Sequence, residues 1–237
     1  MKIQSILFFS LLLFQISSFA QNKEAQEILE EGQLMYRLEK ASWYATDDLI
    51  IRFSEKLDSV GGYLSYETED HFVITIFFKH SDPYSLLVKY QFDSLPQPKF
   101  LKIDTNQNKA NDFERELITV RQDAINRIYE NTEGFFKYYE NTSYNLIPLI
   151  NKKERKVVVL TGPKVEGILL IGNDYVLKYN DENQFISKEK MHNSLLQFQT
   201  RSDDPENSLE STYHSHVLHD LINSTDICTL LLYKEYT

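Results

Sequence analysis

Nine residues, His71 to Lys79, set the tightest limit on what this chain can fold into. Phe72, Ile74, Ile76 and Phe78 alternate with Val73, Thr75 and Phe77, so a strand here lines one face with the first set and the other face with the second. Ser81-Asp82-Pro83 then signals a turn, and Leu86 to Phe92 reads as the next strand. Pro96 and Pro98 break the chain, and Phe100 to Ile103 adds a short strand. Residues 62–103 are therefore expected to form antiparallel strands. Ahead of them, residues 23–57 read as helix, with a break expected near Lys40 to Trp43. Ala25, Ile28, Leu29, Met35 and Tyr36 recur there near the helical period, and Gly61-Gly62 stops the pattern.

Asn108 to Asn131 carries the strongest helical pattern. Phe113, Leu117, Val120, Ala124 and Ile128 fall on one face, and Asn111 with Glu114 three residues on has the form of a capping box. The Tyr-, Asn- and Thr-rich stretch Gly134 to Pro148 reads as a crossing between two halves. Strands return over 156–199: Lys156 to Leu160, Ile168 to Ile171, Tyr175 to Tyr179 and Phe185 to Ser187. Gly172-Asn173-Asp174 reads as a hairpin turn inside that meander. Arg201 to Asn207 is a polar loop, Ser211 to His216 can add a strand, and Asp226 to Tyr236 reads as a final helix. Ile227, Cys228, Leu230, Leu231, Leu232 and Tyr233 leave that helix almost no polar face, which requires burial. It would be docked into the core as a plug, or the covering strands would be missing. The expected class is α+β, with N-terminal helices on an antiparallel sheet, then a C-terminal mixed sheet closed by a buried helix.

The first twenty residues have the three parts of a secretory signal. Lys2 is positive, Ile6 to Ile16 form an apolar run, and Ser18 and Ala20 put small residues before a cut at Gln21. The run is shorter than the roughly 20 residues a bilayer span needs. The short, Lys-poor segment ending in Phe-Ala-Gln resembles the signals of Gram-negative bacteria, so a periplasmic or secreted protein is expected. On that reading the triplets at Asn141 and Asn223 are chance matches to the glycosylation pattern. The expected organisation is a signal peptide over 1–20, an N-terminal α+β region over 21–140 and a C-terminal α/β region over 141–237.

Acids outnumber bases 35 to 25, and loss of Lys2 would take the net charge from −10 to −11. That excludes non-specific binding to nucleic acid or to anionic membranes. Cys228 is the only cysteine, so no intramolecular disulfide exists. Trp43 and the aromatic strands read as core.

Chemistry concentrates in one segment. His214, His216 and His219 lie within six residues. On a strand, His214 and His216 would point to the same face and offer two ligands to zinc. Asp226, at the start of the final helix, is the expected third ligand, with His219 as its competitor. Without a metal, His214 and His216 would be ordinary strand residues, and Asp226, Ser224 and Thr225 would be helix-start residues.

Tyr213-His214-Ser215-His216, a loop, then Ser224-Thr225-Asp226 resembles the JAMM (MPN-type) metalloproteases over residues 155–237. Their pattern is H-x-H, seven residues, S-x-x-D; here one residue separates Ser224 from Asp226. The resemblance implies zinc held by His214, His216 and Asp226, with Ser224 stabilising an oxyanion. It also implies a Glu as general base, for which Glu166, before the apolar run Ile168 to Ile171, is the candidate. The expected activity is then zinc-dependent peptidase or isopeptidase action on a peptide or protein substrate. The alternatives are a non-catalytic exported binding or structural domain, and a degenerate relic of a metallohydrolase truncated at its C-terminus.

Overall fold

A computed structural model describes the backbone of residues 2–81, 84–106, 108–199 and 221–234, and side chains from residue 23. It has the expected α+β class. Helix α1 (Lys2–Arg52) is followed by a short 3-10 helix (Ser54–Ser59) and strands β1 (Gly62–Glu67), β2 (Val73–Lys79), β3 (Ser85–Phe92) and β4 (Lys102–Asp104). Helix α2 (Asp112–Glu130) leads to β5 (Thr142–Ile150), β6 (Arg155–Pro163), β7 (Ile168–Gly172), β8 (Tyr175–Tyr179), β9 (Phe185–Lys190), β10 (Leu195–Gln199) and helix α3 (Ser224–Leu232). The break expected near Lys40 to Trp43 is absent: α1 runs through it. Ala41 is fully buried there, and the Lys40 ammonium lies 5.1 Å from the centre of the Trp43 ring.

The strands form sheets in the orders β1-β2-β3-β4 and β5-β6-β8-β9, with β7 and β10 paired separately. All these pairings are antiparallel. Among the described residues the C-terminal half thus holds two antiparallel sheets, where a single mixed sheet was expected. Gly172-Asn173-Asp174 also departs from expectation. It does not close a hairpin, because β7 pairs with β10 while β8 pairs with β6 and β9. The turn instead carries the chain from one sheet to the other.

The two faces of β2 explain the layering. Val73 and Phe77 pack with Met35, Leu38 and Leu49 of α1, while Ile74, Ile76 and Phe78 pack with Leu117 and Ile118 of α2. Strand β6 repeats the arrangement. Val158 and Leu160 join the α1 cluster, and Val157 and Val159 meet Val120, Ala124 and Ile128 of α2. Both four-stranded sheets therefore lie between α1 and α2, with β1 beside β5 at the seam. Each such buried Val, Leu, Ile or Phe contributes roughly 1.5–3 kcal/mol.

Helix α2 begins with the expected capping box: the Glu114 amide donates to Asn111 Oδ1 at 2.8 Å and the Asn111 amide donates to Glu114 Oε2 at 2.9 Å. Helix α3 is buried along one side, from its polar first turn through Cys228 and Thr229 to Leu232. Ser224, Thr225 and Asp226 are enclosed, whereas Leu230 is exposed. Among the described residues no helix is long and apolar enough to cross a membrane.

Candidate metal centre

Three side chains from separate elements meet beneath the first turn of α3. Gly172 (φ 103°) and Asn173 (φ 60°) turn the chain out of β7 in left-handed backbone that Gly and Asn adopt most readily. Asn173 is held there by its own contacts: its Oδ1 accepts from the Tyr175 hydroxyl at 2.7 Å and its Nδ2 donates to Lys137 O at 3.0 Å. The turn delivers Asp174 into the interior, where its Oδ1 accepts the Thr161 amide at 2.8 Å. His192 follows β9, and the Met191 amide donates to Asp174 O at 2.9 Å, so backbone pairing sets the ring beside the carboxylate. Asp226 stands in the first turn of α3, where a negative charge is favoured by the helix dipole.

The imidazole lies between the two acids. His192 Nδ1 is 3.4 Å from Asp174 Oδ2, and Nε2 is 3.0 Å from Asp226 Oδ1. The Asn223 amide nitrogen is 3.1 Å from Nε2 and donates to Met191 O at 3.0 Å. One ligand atom from each of Asp174, His192 and Asp226 falls within 4.8 Å of the others, a grouping that could hold a metal ion. Asp174 and Asp226 are 2% and 1% exposed. Burial pushes the Asp174 carboxyl up to about 7, against the charge of His192 and the Thr161 hydrogen bond. For His192, burial works against the charged ring. The Asp226 hydrogen bond, with the charges of Asp174 and Asp226, outweighs it and raises the imidazole.

Of the residues expected from sequence, Asp226, Ser224 and Glu166 are among the described residues. Asp226 belongs to this centre, but with His192 and Asp174 as companions. His214, His216 and His219 lie outside the described residues. Ser224 donates its hydroxyl to Glu31 Oε1 at 2.8 Å, and Glu31 Oε2 is 2.6 Å from Lys156 Nζ, which joins α3 to α1 and β6. Glu166 is exposed in the turn before β7, whereas Asp174 follows the opposite end of that strand. A polar cleft beside the centre is lined by Glu31, Leu34, Lys156, Met191, Asn223 and Ser224.

Sequence reasoning missed Asp174 and His192. The signal for Asp174 was present, since Gly-Asn before an acid between two apolar runs marks a left-handed turn that can aim a side chain inward. His192 is isolated and carried none. No family model, no curated protein and no solved structure matches this chain.

Proposed function

We propose that this is an exported metal-binding protein in which Asp174, His192 and Asp226 hold a zinc ion that ties α3 to the sheets. The observation that carries the reading is the convergence of two enclosed carboxylates and one imidazole from three elements. One nitrogen and carboxylate oxygens suit zinc and its first-row neighbours. Once the protons of Asp174 and His192 leave, the two acids and one imidazole carry a net negative charge in a site nearly closed to water, which a divalent cation offsets. The signal-like segment ending at Ala20 supports export.

The test is zinc titration of chelator-stripped protein. One equivalent is expected to bind, with H192A and D226N weakening it at least about 100-fold. A double H214A/H216A variant is expected to keep the ion. If that double variant loses zinc while D174N keeps it, the centre is the histidine pair and this assignment is wrong.

A second reading, a zinc-dependent hydrolase of peptide or isopeptide bonds, is favoured by the cleft that reaches Asn223 and Ser224 beside Asp226. Cleavage of a peptide library by zinc-loaded protein, lost on chelation, would distinguish it from a purely structural ion.

A further inference from the structure

Glu39 lies at the seam between the two four-stranded sheets. It projects from α1, is 6% exposed, and its Oε2 accepts from Asn145 Nδ2 of β5 at 3.2 Å. On the β1 side a run of hydroxyls continues the polar seam: Ser42 Oγ to Ser65 Oγ at 2.8 Å, then Ser65 Oγ to Thr75 Oγ1 at 2.7 Å. A void of about 10 Å3 lies among Glu39, Ser42, Tyr63, Ser65 and Asn145. That is the room of about one water. One water and one amide cannot replace the hydration of a carboxylate. A compensating charge comes from Arg121 of α2, whose Cζ lies 5.7 Å from the centre of the Tyr63 ring.

We propose that Glu39 is a proton-operated latch on this seam: its neutral carboxyl seats α1 against β1 and β5, and its ionisation loosens that seat. Burial pushes the carboxyl up to about 7, while the Arg121 charge and the Asn145 hydrogen bond pull it down. The other groups facing it stay in one charge state across neutral pH. Burial and the Glu39 charge raise the Tyr63 phenol and the Cys228 thiol of α3. Burial lowers Arg121, but a guanidinium stays a cation across neutral pH. Strand β2 presents the Thr75 hydroxyl and β5 the Asn145 amide, neither of which titrates.

The sign follows from the direction of the shift. Folded Glu39 holds its proton up to about pH 7, whereas in the unfolded chain it releases it near 4.5. The folding constant therefore falls about tenfold per pH unit between those values and levels off above them. Trp43, the only tryptophan, sits one turn further along α1 with its ring 6.0 Å from that of Tyr233, and its emission reports the helix seat.

Urea unfolding from pH 5 to 8 should show a steeper fall in the wild-type protein than in E39Q, by about tenfold per pH unit up to about pH 7, because Asp174 and His192 titrate in both. Superimposed wild-type and E39Q profiles would overturn the latch. A direct reading uses the wild type alone. In a carbon-13 titration the Glu39 carboxyl should turn over near pH 7, and a midpoint near 4.5 would overturn the proposal whether or not E39Q folds. Native-state amide exchange at β1 and β5, corrected for intrinsic rates, should quicken in wild type above pH 7. Unchanged protection there would mean that ionisation opens nothing.

Discussion

Asp174 and Asp226 meet one imidazole where water hardly reaches, so the charge state of the group decides what it can hold. Without metal, both Asp174 and His192 are raised above their ordinary values. A raised folded-state value means protonation favours the fold. The Asp174 contribution is fully present below about 3.8 and is lost as pH rises toward about 7. The His192 contribution is present below about 6.5 and is lost as pH rises through its raised value. Metal-free protein should therefore lose stability toward neutral pH, and zinc should restore it, because the ion displaces the same protons. Calorimetry at pH 5.5 and 7.5 should show tighter zinc binding at the higher pH, with proton release. D174N separates the two roles. It should raise metal-free stability at pH 8 by on the order of 1–3 kcal/mol, by removing a buried charge, while abolishing the zinc response in thermal melts. Asp226 was legible from sequence because an acid at a helix start has a local signature. Asp174 was read as a hairpin residue, and nothing local singles out His192.

At the scale of elements, the centre depends on where α3 docks, and Gly32 controls that approach. A Cβ built on Gly32 would lie 2.6 Å from Ile227 Cβ and 2.8 Å from Ser224 O. In an open helix, Gly to Ala gains about 1 kcal/mol. Here the clash reverses the sign, and G32A should cost about 1–3 kcal/mol in urea denaturation. Because the clash pushes on Ser224, two residues before Asp226, G32A should also weaken zinc binding. Helix α2 offers a control remote from the metal. N111A removes one half of the capping box and should cost about 1 kcal/mol without touching zinc affinity. That box was readable from Asn111 and Glu114 alone. The partner of β7 was not, since an apolar run of four residues does not say whether β8 or β10 lies beside it.

For the whole molecule, the largest apolar cluster draws on α1, both four-stranded sheets and α3, from Met35 and Phe77 through Ile147 and Val158 to Cys228 and Leu232. A core shared this widely should melt as one unit. Trp43 emission and far-ultraviolet circular dichroism should give coincident unfolding curves, and two separated transitions would contradict that. The sequence by itself determined the α+β class, the strands expected at 71–79 and 86–92, the capped helix α2 and a final helix around Asp226, because periodicity and capping act within a dozen residues. Only the tertiary structure decided that Gly172 and Asn173 bridge two sheets and that residues 174, 192 and 226 converge. Those facts depend on strand partners and on the approach of α3, which are settled by burial summed over the whole core rather than by any local pattern.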